Sequence, residues 1–468
     1  MAKILEKHKK YESRYGENEI FWGLGIEEET YFQFTKPIHV ATPIIRENHA
    51  AERYSVDYYK VYKPCIKDIF QSTYPDASGC IPLPFFINAH ALQKMDTRGQ
   101  HATTYEKTPR ANPAFSGTTF FEALQEFCPA VFKEEYEKSF VFDGDTIEFI
   151  TLDFYKATAA TAVKELITSK SRFLDCLNAY LIQKGIHRDK GLLMYPPRNP
   201  GLAVFYSNPQ NVVMFNNGTY HINLTLPTLL GPKDASGSTL MYPDEFRIKH
   251  RRCIRMIQWL EPLLIGVYGT ADPFSNDTRF SKGSQRCCIS RYIGIGTYNT
   301  DEMKEGKILT MAVKDIKGTD SGFWWYTRFH TDSAYEPLER VGMDINYRKH
   351  YNHGIEVRMF DWFPEDQLAS LIELLVNVCD AALERTEAPI AMYSPTWNSM
   401  VVGVLRDGGD YKVPIETSAI YERIFGIPLM GVLTAKKMLE KLMRRYKIIY
   451  ARGICSSVML GYASLNCI

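Results

Sequence analysis

Near its N-terminus the chain reads Gly25-Ile26-Glu27-Glu28-Glu29, inside an extended-looking run from Phe21 to Phe34. Apolar and polar residues alternate along this run, as in a β-strand, where successive side chains point to opposite faces of the sheet. Glu27 and Glu29 would share the polar face, about 7 Å apart, and Glu28 would lie on the apolar face. Neighbouring carboxylates repel each other unless one is protonated or a cation lies between them. The run is therefore a candidate binding strand for a divalent cation, with a solvated acidic edge strand as the alternative.

Three later strand-like segments offer further ligands of the same kind. Glu148 follows an acidic turn, His221 and Asn223 share one face of their strand, and Glu356 and Arg358 share one face of theirs. Carboxylate oxygens held on rigid strands suit Mg²⁺ or Mn²⁺, and neutral imidazole is also a good metal ligand. These three segments favour the cation-binding interpretation of the first strand over the solvated edge strand.

Each of these later residues also has an ordinary structural interpretation. Glu148 can lie on an exposed hairpin strand, and His221 can be a hydrogen-bonded core residue. Glu356 and Arg358 can form a same-strand ion pair that contributes little to stability. Alternatively, Arg358 can bind phosphate, because a guanidinium matches phosphate oxygens with two parallel hydrogen bonds.

A basic, glycine-containing segment includes Arg279, Arg286 and Arg291. It predicts a binding site for polyphosphate or for a substrate carboxylate, with a solvated basic loop as the alternative. The sequence contains neither a Gly-x-x-x-x-Gly-Lys-Ser/Thr loop nor a complete Gly-x-Gly-x-x-Gly fingerprint, which argues against P-loop and Rossmann nucleotide binding.

The order of predicted elements indicates the fold class. Strand-like segments precede apolar helical patterns at Thr161 to Gly185, from Pro243, from Pro364 to about Arg385, and from Pro414 onwards. Strands followed by helices, without regular βαβ alternation, predict an α+β fold with a largely antiparallel sheet. We expect a catalytic domain in residues 1–390, with its core at about 20–362, and a mostly helical region in 391–468 packed on it.

The helix that begins at Pro243 carries Arg247, Arg251 and Arg255 at helical spacing. A solvated helix face is the expected interpretation, and contact with nucleic acid is the alternative.

The overall composition limits the classes of partner. The chain of 468 residues has 55 Lys and Arg against 54 Asp and Glu, a net charge of +1, so no global field favours nucleic acid or anionic membrane. The N-terminal residues are charged and lack an apolar signal core, and no apolar run reaches the roughly 20 residues of a membrane span. Ten scattered cysteines without Cys-x-x-Cys predict reduced thiols rather than a disulfide framework or a zinc site. These features predict a cytoplasmic protein.

The ordered set of motifs resembles the glutamine synthetase / glutamate–cysteine ligase superfamily. The set runs from a strand Glu-x-Glu through a strand Glu and Asn-Gly-x-x-His to Glu-x-Arg, over roughly residues 20 to 362. The opening Gly-x-Glu-x-Glu and the stretch Asp143 to Thr151 look most like the carboxylate–amine (COOH-NH2) ligases, or amidoligases. The resemblance implies a curved antiparallel sheet that forms a funnel around Mg²⁺ or Mn²⁺ and ATP.

The resemblance also implies roles for individual residues. Arg358, Arg286 and Arg291 would be catalytic, and Arg358, Arg279 and Asn223 would bind the nucleotide cofactor. Asn223 stands where glutamine synthetases carry a second histidine that helps to hold glutamate. The implied metal ligands are Glu27, Glu29, Glu148, His221 and Glu356.

The expected activity is ATP-dependent ligation of a small-molecule or peptide carboxylate to an amine, through an acyl phosphate. We expect neither nucleic acid nor membrane as a partner, and a homo-oligomer is possible. Two alternatives remain, a guanidino-type phosphotransferase on the same fold and a non-catalytic binding or structural protein that keeps the scaffold.

Overall fold

The computed structural model describes the core elements of the chain. The described residues are 22–41, 80–87, 89, 92, 118–143, 146–151, 158–196, 219–227, 230–234, 237–270, 343–346, 354–391, 394–429, 431 and 433–451. The sequence is also strand-like at Gly201-Tyr206 and Val212-Phe215, but these runs lie outside the described residues, and so does the basic segment from Arg279 to Arg291.

The described strands vary from two to ten residues in length. They are β1 (Gly23–Thr30), β2 (Phe32–Ala41), β3 (Cys80–Ile87), β4 (Phe140–Asp143), β5 (Thr146–Ile150), β6 (Leu193–Met194), β7 (Thr219–Thr225), β8 (Leu230–Asp234), β9 (Gly237–Leu240), β10 (Met343–Asn346), β11 (Gly354–Val357), β12 (Lys412–Val413) and β13 (Leu433–Thr434).

The helices predicted at Thr161 to Gly185, from Pro243, from Pro364 and from Pro414 onwards are present to within a few residues, whereas those within 120–132, 187–190 and 395–407 were not predicted. The described helices are α1 (Phe120–Phe127), α2 (Pro129–Phe132), α3 (Ala159–Gln183), α4 (His187–Lys190), α5 (Pro243–Tyr268), α6 (Leu368–Leu383), α7 (Pro395–Asp407), α8 (Ile415–Phe425) and α9 (Ala435–Ala451), with short 3₁₀ turns at Glu365–Gln367 and Gly408–Asp410. None of the helices in the described ranges combines the length and apolar character that crossing a membrane requires.

Six strands form the main sheet, in the order β10-β11-β7-β1-β5-β4. The pairs β10–β11, β11–β7, β1–β5 and β4–β5 are antiparallel. The predicted α+β class with a largely antiparallel sheet is therefore confirmed.

The alternation in the sequence explains which side chains of the sheet form its apolar face. The apolar residues of four central strands are almost completely inaccessible to solvent, and burial of each such side chain stabilises the fold by about 1.5–3 kcal/mol. These residues are Leu24, Ile26, Ile147, Phe149, Ile222, Leu224, Ile355 and Val357. Because side chains alternate, Glu27, Glu29, Glu148, His221 and Glu356 are placed on the opposite face, whereas Glu28 shares the apolar face.

The prediction of a single strand from Phe21 to Phe34 is wrong. The chain breaks at the fully buried Tyr31, and the following strand β2 pairs with β3 and β6 in a separate sheet. The register explains the break, because Thr30 lies opposite Ile147 and β5 begins only one residue earlier, at Thr146. Beyond Thr30, β5 offers almost no further residues for hydrogen bonding with β1, and the chain continues into the other sheet.

The chain divides into two compact units. Unit A comprises Met1–Ile26, Thr151–Lys164 and His221–Ile468, and unit B comprises Glu27–Ile150 and Glu165–Tyr220. The predicted domain division at residue 390 stays a prediction.

Helix α5 is the longest helix of unit A and packs against α6, α7 and α9. It begins with Pro243 and two acidic residues, which suit the first turn of a helix because the N-terminus carries partial positive charge. Pro262 lies inside the helix and cannot donate to the carbonyl of Gln258. The Nε1–H of Trp397 in α7 donates to that carbonyl at 2.8 Å, so α7 satisfies the acceptor that the proline leaves.

Unit B has an aromatic core around Phe173 of α3. The Phe173 ring contacts four other phenylalanine rings, with centroids 4.7 to 5.3 Å apart, and most of these contacts are edge-to-face, a favourable arrangement for aromatic pairs. The four partners are Phe32, Phe132, Phe140 and Phe149. This core fixes α3 against the strands β2, β4 and β5.

Candidate metal centre

Glu356 of β11 is a buried carboxylate between two basic side chains. Its Oε1 lies 3.4 Å from Nδ1 of His221 on β7, and its Oε2 lies 3.7 Å from Nη1 of Arg358. The Glu356 and His221 side chains are only 1% and 3% exposed, whereas Arg358 is 26% exposed. Both distances exceed the 2.7–3.2 Å range of ordinary N–H···O hydrogen bonds, so the groups face each other across a small gap.

A second buried carboxylate, Glu27 of β1, joins this pair. Ligand atoms of Glu27, His221 and Glu356 all lie within 4.8 Å of one another, and all three residues are buried. The strand order explains the convergence, because β1, β7 and β11 are neighbours in the main sheet. The structure therefore brings together three of the five metal ligands that the resemblance implies.

The spacing of the cluster fits a small divalent cation. In an octahedral site with bonds of about 2.1 Å, adjacent ligand atoms are about 3.0 Å apart and opposite ones about 4.2 Å apart. The 3.4 Å between His221 and Glu356 is close to the first value, so small side-chain movements would close the three ligands around one ion. A cation between the two carboxylates would also offset their mutual repulsion.

The donor set distinguishes between the two metals that we predicted. Carboxylates suit both Mg²⁺ and Mn²⁺, but imidazole is more typical of transition metals than of Mg²⁺. Two carboxylates with one imidazole, from Glu27, Glu356 and His221, fit Mn²⁺ better than Mg²⁺. Metal binding itself stays a prediction.

Glu29 and Glu148 lie opposite each other in the β1–β5 register. Directly opposed residues have Cβ atoms about 4.5–5.5 Å apart, so the two carboxylates are close neighbours. They are only half-buried and do not belong to the cluster of Glu27, His221 and Glu356. The role of Glu29 and Glu148 as metal ligands stays a prediction.

Two strand positions next to Glu356 bear on the predicted cofactor site. Asn223 of β7 lies opposite Glu356 in the register, as does Asp344 of β10 on the other side. Asn223 was predicted to bind the cofactor, and its backbone position adjoins the candidate metal centre. Asp344 was missed, because a strand of four residues is too short to give a recognisable pattern in the sequence.

Of the arginines predicted to bind phosphate or substrate, Arg358 lies within the described residues. It lies just after β11 and is partly exposed, so its guanidinium can bind an incoming anion while it stays beside Glu356. Arg279, Arg286 and Arg291 lie outside the described residues, and their roles stay predictions.

A buried ion pair under β1 was not predicted from the sequence. Glu28 lies between Glu27 and Glu29 but on the apolar face, where Lys170 Nζ of α3 lies 2.7 Å from Glu28 Oε2 and donates to Oε1 at 2.9 Å. The Lys170 ammonium also lies 4.5 Å from the centre of the Tyr195 ring. A signal was present, since Lys170 falls on the apolar stripe of α3, between Leu166 and Phe173.

Two of the three arginines on the basic face of α5 are paired with an acidic side chain and largely shielded from solvent. Arg251 Nε lies 3.0 Å from Glu387, and Arg255 also forms an ion pair with Glu387. Arg247, near the exposed start of the helix, lies 3.7 Å from Asp244. Arg251 and Arg255 therefore hold α5 against the segment that follows α6.

Comparison with known proteins shows a viral relative. The chain is 37% identical over 466 residues to the "Uncharacterized protein R704" of Acanthamoeba polyphaga mimivirus, and the match covers 97% of this chain and 79% of the mimivirus protein. The chain belongs to the family of that mimivirus protein. No model of a protein family matches the sequence. The family assignment covers nearly the whole chain, but the relative's printed name assigns no activity.

Proposed function

We propose that the chain is an ATP-dependent carboxylate–amine ligase that uses a divalent cation. The buried cluster of Glu27, His221 and Glu356, with Arg358 beside it, is the observation that supports this proposal. We also propose that the six-stranded sheet is the wall of a funnel like that of the glutamine synthetase superfamily, with the cluster on its inner face.

Each residue of the site has a defined role in the proposal. Glu27, His221 and Glu356 would hold the cation, which would neutralise charge on the phosphate and carboxylate oxygens. Arg358 would bind a phosphate oxygen of the nucleotide and offset the charge that develops during transfer. Its contact with Glu356 keeps the guanidinium in place before the substrate arrives.

The chemistry explains why such a site suits ligation. A carboxylate is a poor acyl donor, because oxide would have to leave. Transfer of the γ-phosphoryl group from ATP to a carboxylate oxygen gives an acyl phosphate, and a neutral amine then attacks the acyl carbon. Phosphate leaves with that oxygen, and a base takes the proton from the nitrogen. Phosphoryl transfer depends on positioning and charge neutralisation more than on covalent help, which matches a site of carboxylates, imidazole and arginine.

The test measures ADP release by the full chain with ATP, Mn²⁺ or Mg²⁺, and panels of amino acids and short peptides. Release is expected to require both the cation and a carboxylate–amine pair. Glu356→Gln is expected to reduce it at least about 100-fold, because loss of even an indirect support of a metal site costs 10–100-fold. Glu440→Gln, on the exposed face of α9, is the matched control and is expected to retain activity.

Mass spectrometry of the products decides the reaction type. An amide product has the summed mass of the two substrates less one water. A product heavier by a phosphate group would assign a phosphotransferase and contradict ligation. Absence of ATP turnover with every panel, together with retained Mn²⁺ binding, would contradict the ligase proposal and leave the metal centre standing.

A further inference from the structure

Two cysteine sulfur atoms of unit B lie almost within bonding distance. Cys128 stands between α1 and α2, and Cys176 lies in α3. Their Sγ atoms are 2.9 Å apart, which is within about 1 Å of the 2.05 Å bond of a disulfide. Both residues are partly exposed and both are free thiols, so a small reagent can reach them.

The backbone around Cys128 holds it in this position. Its N–H donates to Leu124 O at the end of α1, and its carbonyl accepts from Val131 and Phe132 in α2. At the other end of α1, Thr119 and Glu122 form a capping box that stabilises the helix.

Two aromatic contacts hold Cys128 and Cys176 against each other. Phe127 contacts Tyr180 with ring centroids 5.4 Å apart, and Phe132 contacts Phe173 at 4.9 Å. Phe173 and Tyr180 lie about one helical turn on either side of Cys176, so the two pairs flank the sulfur atoms. Formation of a bond would require only a local shift, because the surrounding packing already aligns the two segments.

We propose that Cys128 and Cys176 form a reversible disulfide by exchange with a low-molecular-weight disulfide such as oxidised glutathione. The Cys128 thiolate attacks one sulfur of the small disulfide, which releases one small thiol and leaves a mixed disulfide. Cys176 then loses its proton and attacks the Cys128 sulfur, which releases the second small thiol. The two protein thiols lose two electrons and two protons, and the small disulfide gains them.

The order of attack follows from the surroundings of Cys176. Burial, and then the contact with Cys128, raise the pKa of the Cys176 thiol to about 12. Cys176 therefore stays protonated at neutral pH and acts second, and exchange becomes faster as the pH rises.

A second cysteine pair in unit A provides an internal control. Cys253 and Cys379 are both completely buried, and Cys253 Sγ donates to Cys379 O at 3.4 Å. Burial raises the pKa of the Cys253 thiol well above its usual value. A reagent in solution cannot reach this pair in the folded chain, so of the two described pairs the proposal applies to Cys128 and Cys176.

The test treats the folded full-length chain with increasing oxidised glutathione, stops exchange with acid, and maps the cysteines by mass spectrometry after alkylation. A cross-linked peptide containing Cys128 and Cys176, lighter by two hydrogens and restored by dithiothreitol, is expected. The melting temperature is expected to rise with the cross-link, because it closes a long loop in the unfolded chain.

Two variants test the specificity of the cross-link. Cys128→Ser is expected to abolish it, whereas Cys379→Ser is expected to leave it intact. The proposal is overturned if Cys128 and Cys176 both remain alkylated across the titration, or if they carry glutathione without cross-linking.

Discussion

Replacement of Lys170 with Met is expected to lower the free energy of unfolding by about 3–5 kcal/mol. Lys170 and Glu28 are 5% and 1% exposed, and their charged atoms lie 2.7 Å apart. Removal of the ammonium leaves the Glu28 carboxylate buried without the charge that compensates it. The cost of burying an unpaired charge is larger than the net gain from making the pair, so the loss exceeds that of a surface ion pair.

A double variant separates the unpaired charge from the lost packing. Lys170→Met combined with Glu28→Leu removes both charges and is expected to recover most of the loss, because apolar replacements of a buried pair are often neutral. Lys164→Met, on the exposed side of the same helix, is the control and is expected to change stability by less than about 0.5 kcal/mol. Urea unfolding gives the free energy of unfolding of the original chain, the two single variants and the double variant. The account is contradicted if the free energy of unfolding of Lys170→Met lies within about 1 kcal/mol of that of the original chain. It is also contradicted if the double variant is no more stable than Lys170→Met.

Asp380→Asn is expected to stabilise the chain, and the gain over the original chain is expected to be larger at pH 8 than at pH 4. Asp380 in α6 accepts from Trp22 Nε1 at 2.9 Å and from the Tyr450 hydroxyl at 3.2 Å. Burial raises the pKa of Asp380 to about 6, although these two hydrogen bonds act in the opposite direction. The folded chain therefore keeps a proton on Asp380 over a pH range in which the unfolded chain has lost it.

The sign of the effect follows from proton linkage. Below the unfolded pKa of 3.8, Asp380 is protonated in both states and contributes no pH dependence. Between 3.8 and about 6 the folded state binds the extra proton, so the free energy of unfolding falls as the pH rises. Above about pH 6 the ionised Asp380 lowers the free energy of unfolding by a constant amount of about 3 kcal/mol, which corresponds to a pKa difference of about two units.

The asparagine variant lacks this titration but keeps an acceptor for Trp22. Its stability advantage over the original chain is expected to grow by about 2–3 kcal/mol between pH 4 and pH 8. Urea unfolding at both pH values measures the difference, and Asp407→Asn at an exposed position serves as the control. An advantage that is the same at pH 4 and pH 8 would show that Asp380 does not carry the raised pKa.

The sequence predicted the parts of the fold that depend on local pattern. The helix predicted at Thr161 to Gly185 is α3, and the acidic turn after Pro243 marks the start of α5, because periodicity and helix-end signals act within a few residues. Alternation also placed His221 and Glu356 on the polar faces of their strands. The convergence of Glu27, His221 and Glu356 was implied by the family resemblance and not by any local pattern.

Register and long-range pairing could not be obtained from the sequence. Alternation fixes which face a side chain occupies but not its partner strand, so the opposition of Glu29 and Glu148 was not foreseen. The break at Tyr31 depends on where β5 begins, and the Lys170–Glu28 pair depends on how α3 packs. Such features arise from tertiary contacts between residues that are far apart in the chain.

The central claim is that Glu27, His221 and Glu356 bind a divalent cation together. Titration of the full chain with Mn²⁺, followed by the electron paramagnetic resonance signal of the free ion, tests this claim most directly. The original chain and Glu440→Gln are expected to bind Mn²⁺, and the triple variant Glu27→Gln/His221→Ala/Glu356→Gln is expected to bind at least about 10-fold more weakly while it keeps its helical circular dichroism. Equal Mn²⁺ binding by the triple variant and the original chain, or no binding by either, would contradict the account.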